Sequence, residues 1–215
     1  MAATKADYPA TLDIDYPDQL DRTSTFFRII LAIPILIILS LLSGEGDTIK
    51  LYVDEAGKTI SQQGTGIAGG LFVATMLMIL FRQRYPRWWF NFQLELNRFS
   101  TRVCAYLLLL TDKYPSTEDE QSIHLNLVYP NAKKDLNSAL PLFKWFLVIP
   151  HYIILIFLSI GVLFVTIIAW FSILFTGQYP KSLFNYVVGV FRWGLRVSAY
   201  AFLLTTDIYP PFELN

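Results

Sequence analysis

Tyr85-Pro86-Arg87-Trp88-Trp89-Phe90-Asn91 … Arg98 … Arg102 … Ala105-Tyr106 … Thr111-Asp112-Lys113-Tyr114-Pro115 is answered later in the chain by Tyr179-Pro180-Lys181-Ser182-Leu183-Phe184-Asn185 … Arg192 … Arg196 … Ala199-Tyr200 … Thr206-Asp207-Ile208-Tyr209-Pro210. The two stretches stay in register apart from one inserted residue after Tyr200. Upstream, Leu12-Asp13-Ile14-Asp15-Tyr16-Pro17 answers Leu125-Asn126-Leu127-Val128-Tyr129-Pro130, and Phe27-Arg28 … Ile33-Pro34 answers Phe143-Lys144 … Ile149-Pro150. Such self-similarity reads as two tandem repeats, residues 1–115 and 116–215, related by a pseudo-twofold axis. Polar residues present in both copies are then stronger functional candidates than those present once.

Composition sets the environment. The 215 residues are 54% hydrophobic and 16% charged, with 17 Phe, 12 Tyr and 5 Trp, too apolar for an ordinary soluble domain. Apolar runs cover Phe26–Ser43, Ile67–Phe81 and Leu142–Phe175. A bilayer core needs about 20 helical residues, and Leu142–Phe175 as one helix would be about 51 Å long. The expectation is two spans there, turning near Ser159-Ile160-Gly161, to match the two runs of the first copy. The fold class that follows is mainly α, integral membrane, with four spans in two hairpins. The segment 44–66 becomes an inserted extracytoplasmic loop, with a small β-hairpin from Leu51-Tyr52-Val53 and Thr59-Ile60.

Charge is balanced at +0 and gives no reason to expect nucleic acid. If both hairpins enter from one side, every Lys and Arg except Lys50 and Lys58 falls on that side. The positive-inside rule then makes both termini cytoplasmic. Asp13, Asp15, Asp18 and Asp21 precede the first apolar run, so the start of the sequence does not read as a secretory signal. The single Cys104 leaves no internal disulfide.

Each copy opens with a short alternating strand, continues with an apolar helix containing Pro34 or Pro150, and closes with a helix after Tyr-Pro. The closing helices are expected over 87–111 and 181–206. Asn91, Glu95, Arg98, Arg102 and Tyr106 make a polar stripe on the first, and Asn185, Gly189, Arg192, Arg196 and Tyr200 repeat it on the second. A cationic stripe on a greasy, tryptophan-bearing helix suits the membrane interface. Arg98 with Arg102, and Arg192 with Arg196, lie one turn apart and can together grip a phosphate or carboxylate, with Asn91, Tyr106, Asn185 and Tyr200 as stripe partners. The bland alternative is internal pairing, with Glu95, Asp112 or Asp207, or snorkelling. Trp88, Trp89, Trp145 and Trp193 are the expected interfacial anchors.

Other chemistry is thin. His124 and His151 are too few for a metal or haem set, so no metal and no cofactor is expected. Ser100, Ser159, Ser172 and Cys104 lack a nucleophile motif. Asp112 and Asp207, each following Thr, read as turn initiators.

The second copy, with Phe-Lys-Trp … Ile-Pro-His-Tyr-Ile, Phe-Thr-Gly-Gln-Tyr-Pro, Arg-Val-x-Ala-Tyr and the closing Tyr-Pro, resembles the bacterial domain-of-unknown-function family 4389 over Tyr129–Phe212. The first copy resembles it more weakly, with Arg82-Gln83-Arg84 in place of Thr176-Gly177-Gln178. The resemblance implies a multi-pass protein of the bacterial inner membrane and carries over no catalytic residue. The functional expectation is a non-enzymatic membrane protein whose partners are anionic lipids, organised by the arginine stripes, or a protein in a membrane complex. The alternative is a channel or transporter subunit.

Overall fold

A computed structural model describes residues 8–43, 50–53, 59–62, 67–119 and 121–214. The elements are β1 (Ala10–Ile14), α1 (Arg22–Ser43), β2 (Lys50–Val53), β3 (Thr59–Gln62), α2 (Ile67–Arg82), α3 (Arg87–Leu107), β4 (Ile123–Leu127), α4 (Pro141–Leu147), α5 (Ile149–Thr176) and α6 (Lys181–Ala201). The chain is mainly helical. Two of its helices, Arg22–Ser40 within α1 and Ile149–Thr176, are long and apolar enough to cross a membrane.

The alternating strands form as read. β1 buries Ala10, Leu12 and Ile14 and exposes Thr11 and Asp13, and it pairs antiparallel with β4, Leu12 opposite Leu125 and Asp13 opposite His124. A two-stranded ribbon needs packing support, and α3 and α6 supply it. β2 and β3 pair antiparallel, Leu51 opposite Ser61. The turn of that hairpin, 54–58, and the rest of the inserted loop at 44–49 and 63–66 lie outside the described residues.

The expected tight hairpin of the second copy does not form. α5 runs unbroken for 28 residues through Ser159-Ile160-Gly161, about 42 Å of helix. Gly161 is a seat rather than a turn: a Cβ there would strike the Tyr186 hydroxyl, which donates to the Leu158 carbonyl at 3.0 Å. The break falls earlier, at Val148 between α4 and α5, with Pro150 in the first turn of α5. There the missing N–H costs nothing. Pro34, by contrast, stays inside an unbroken α1.

Nor do α1 and α2 form an antiparallel pair. Both run antiparallel to α3. Arg28 meets Tyr106, while Ala32 and Ile35 cluster with Val103 and Phe99; farther along, Thr75 meets Trp89 and Gln93. α1 meets the C-terminal half of α3, and α2 meets its first turns. Four spans in two hairpins are therefore replaced by one layer of apolar helices.

The result is three layers. α1, α2, α4 and α5 lie outermost and expose Ile29, Ile33, Phe81, Phe146, Phe157, Phe164 and Phe175. α3 and α6 form the middle, and the strands β1 and β4 form the far side, with Thr11, Asp13 and Asn126 exposed. The main core joins all three layers through Leu12, Leu125, Val187, Phe184, Val162 and Ile173. Left-handed residues stand at matched places after the long helices, Gln83 (φ 45°) and Gly177 (φ 75°), and after the closing helices, Leu109 (φ 64°) and Leu204 (φ 55°). Only at Gly177 is that conformation free of strain.

Candidate functional site

Both arginine stripes face the sheet. Arg98 donates from Nε to the Leu125 carbonyl at 3.0 Å, and its Nη atoms reach Glu95 at 2.7 Å and Asn126 at 3.2 Å. Arg192 does the same on the other strand, with Nε to the Leu12 carbonyl at 2.8 Å and Nη2 to Asp13 at 2.7 Å. One turn on, Arg102 and Arg196 are buried. Their guanidiniums hold the tails that follow each helix, through the Ser116 carbonyl at 3.0 Å and the Glu213 carbonyl. Each stripe thus clamps a strand and a tail to a helix. Of the internal partners named from sequence, Glu95 is taken and Asp112 and Asp207 are not.

Those two aspartates have another task. Asp112 pairs with the buried Arg28, whose Nη1 also donates to the Thr111 carbonyl at 2.6 Å and whose guanidinium lies 4.2 Å from the Tyr106 ring centroid. Asp207 pairs at 2.7 Å with Lys144, which is fully buried, donates to the Thr206 carbonyl at 2.7 Å and sits 4.8 Å from the Tyr200 ring. The second oxygen of each aspartate accepts a backbone N–H at 2.6 Å, from Asp21 or from Asn137. Tyr106 and Tyr200 are therefore platforms for these cations, not stripe partners of the arginines. Sequence reasoning missed the pairs because it counted Arg28 and Lys144 only toward the cytoplasmic side. The available signal was that both cations and both Thr-Asp steps occur twice. Burial pulls the Lys144 ammonium below its ordinary range, and Asp207 opposes that shift.

The aromatic anchors divide. Trp88 and Trp145 are exposed. Trp89 is half-buried and donates to Thr75 Oγ1 at 2.8 Å. Trp193 is not an anchor: it is buried in the middle layer and donates to His151 Nδ1 at 2.9 Å. His151 in turn stacks on Phe212, ring centroids 3.9 Å apart. The amphipathic signal of the closing helices was real, but the protein itself buries the apolar face of α6, between α5 and β1, and Phe90, Phe99 and Val103 of α3, while Trp88 and Phe92 stay exposed. Asn91 and Asn185 stay exposed at the start of their helices.

Among the described residues, two polar clefts are open. One of about 520 Å³ is lined by Glu95, Arg98, Arg102, Glu118, His124 and Asn126. The other, about 710 Å³, lies where α2 turns into α3 and is lined by Arg84, Arg87, Lys133, Tyr129 and Asp135 among others. Arg87 lies 5.0 Å from the Tyr129 ring, and the exposed Phe81 and Trp88 flank this cleft in sequence.

Residues 141–213 match the model of a family described as Domain of unknown function (DUF4389). The matched part holds α4, α5, α6, Lys144, Asp207 and the Arg192–Arg196 stripe. No curated protein and no solved structure matches the chain.

Proposed function

We propose that this chain is a non-enzymatic membrane protein, built from two related copies of one unit, that organises anionic lipids in a bacterial inner membrane with its termini on the cytoplasmic side. The observation that carries the reading is the cleft of Arg84, Arg87 and Lys133 where α2 turns into α3, its lining residues flanked in sequence by exposed Phe81 and Trp88. Guanidinium and ammonium groups at the lip of an apolar face fit a phosphate headgroup above its acyl chains. Arg98, Arg102, Arg192 and Arg196 are engaged with strands and tails on the other side of α3 and α6. Headgroup contact is therefore assigned to Arg84, Arg87 and Lys133 instead. A protein partner would use the polar outer face of the sheet.

The test compares phosphatidylcholine vesicles with and without cardiolipin. With each cation near the surface contributing about 1 kcal/mol, the triple replacement Arg84→Glu, Arg87→Glu, Lys133→Glu should remove the preference for cardiolipin at unchanged helicity. An unchanged preference would sink the site.

A further inference from the structure

We infer that α5, and α1 beside it, lie along one leaflet of the bilayer instead of crossing it. The inference rests on the membrane reading above but not on its lipid preference. α5 is long enough to cross, but what is fastened to it decides its orientation.

α6 lies antiparallel along the first half of α5. Tyr186 meets Leu158, and seven residues later on α6 Trp193 meets His151, seven residues earlier on α5. Equal steps on both helices mean nearly parallel axes. At the other end, Ala169 and Ile173 share a core with Tyr179 and Phe184. The segment 8–16, with β1 at its centre, then follows α6 on its far side. The Tyr16 hydroxyl bonds the Tyr179 carbonyl and the Tyr16 ring packs edge-on against Phe184. Midway, the Leu12 carbonyl accepts from Arg192, and beyond it the Tyr8 hydroxyl donates to the Arg196 carbonyl at 3.2 Å. Strand, α6 and α5 therefore share one direction.

If α5 stood upright, the whole of β1 would stand beside it at membrane depth. Its outer face carries exposed Thr11 and Asp13, with Asp15 just beyond its end and Asn126 from β4 alongside. Each such charge costs about 2.5–3.5 kcal/mol at the bilayer centre, and an open two-stranded edge cannot satisfy its backbone groups in lipid. Laid flat, the same molecule has no conflict. Ile153, Phe157, Phe164, Phe171 and Phe175 of α5 and Ile29 and Ile33 of α1 enter the acyl region. The Trp170 Nε1 bond to the Thr25 carbonyl at 3.2 Å joins the two helices there. Exposed Arg22, Arg82, Arg84, Arg87, Lys133 and Lys181 lie at the ends of the apolar helices, where headgroups would meet them. The sheet faces water. The surface formed by α1, α2, α4 and α5 is thus a docking face whose partner is one leaflet of a phospholipid bilayer.

The experiment reads depth in proteoliposomes of the full chain. In a Cys104→Ser background, spin labels are placed one at a time at Ile153→Cys, Phe164→Cys and Phe175→Cys, all exposed positions. In-plane seating puts all three about 5–10 Å below the phosphates. A crossing helix puts Ile153 and Phe175 near opposite surfaces, about 30 Å apart, with Phe164 near the midplane, and that profile overturns the inference. It would point to upright helices around a water-filled path lined by the sheet. The measurement is repeated in phosphatidylcholine alone. A flat profile there together with no cardiolipin preference would leave the seating standing while the lipid reading falls; a crossing profile with intact preference would do the reverse.

Discussion

The two buried ion pairs occupy matched positions yet are built from different cations. Arg28 distributes its guanidinium over Asp112, the Thr111 carbonyl and the Tyr106 carbonyl and ring. Lys144 has Asp207, one carbonyl and a ring. An arginine stays charged at any working pH, whereas a lysine in an apolar place can shed its proton. The same joint between long helix and closing loop is therefore rigidly ionic in the first half and titratable in the second.

The sharpest way to break that comparison is to remove each aspartate. Asp112→Ala strands a buried arginine and should cost about 3–5 kcal/mol at every pH between 6 and 10. Asp207→Ala should cost a similar amount at pH 6 but recover as pH rises. The sign follows from burial holding the Lys144 value below its ordinary 10.5. Between the folded and unfolded values the unfolded chain binds the extra proton, so stability grows with pH there. Denaturant titrations of both variants across that range check it, and parallel pH profiles would dismiss the distinction between the halves.

A second difference lies beside the stripes. The cleft at Arg98 and Arg102 is open, while at Arg192 and Arg196 the tail 211–214 lies down: the Glu213 carbonyl meets Arg196, and Leu214 packs on Gly189. A Cβ at Gly189 would come within 2.8 Å of the Leu214 carbonyl oxygen and 2.9 Å of its Cβ, and the matching first-half residue is Glu95. Gly189→Glu should therefore lift the tail, uncover the Arg196 end of the helix and cost about 1–3 kcal/mol. Faster hydrogen exchange and proteolysis confined to the last residues would show it. A tail still protected would mean that its seat does not depend on the glycine.

The smallest effect separates two tyrosines. Tyr85 places its hydroxyl 2.6 Å from Gln93 Oε1 and 2.8 Å from the Leu203 carbonyl. The Tyr179 hydroxyl is buried with no hydrogen-bond partner among the described residues. Burial raises both phenols well above their ordinary range, so both stay protonated. Tyr85→Phe should cost about 1–2 kcal/mol and Tyr179→Phe nothing, or should stabilise slightly. Equal costs in thermal or denaturant unfolding would show that the halves satisfy their core hydroxyls alike.

Local patterns in the chain were enough for much of this. The alternation of Leu12/Ile14 and Leu125/Leu127 determined the strands, Tyr-Pro determined where α3 and α6 begin, and the repeated residues marked the positions that carry the joints. Period and proline act over a few residues, so they survive in the sequence. What only the tertiary structure decided is which neighbour each face meets. Hydrophobicity alone cannot distinguish a helix side buried by lipid from one buried by protein, so α3 and α6 read as interfacial although they lie inside. Gly161 read as a turn because its partner, Tyr186, is far along the chain. The arginine stripes read as headgroup ligands because the carbonyls of Leu12 and Leu125 that they hold are backbone atoms, common to every residue and invisible in the order of side chains.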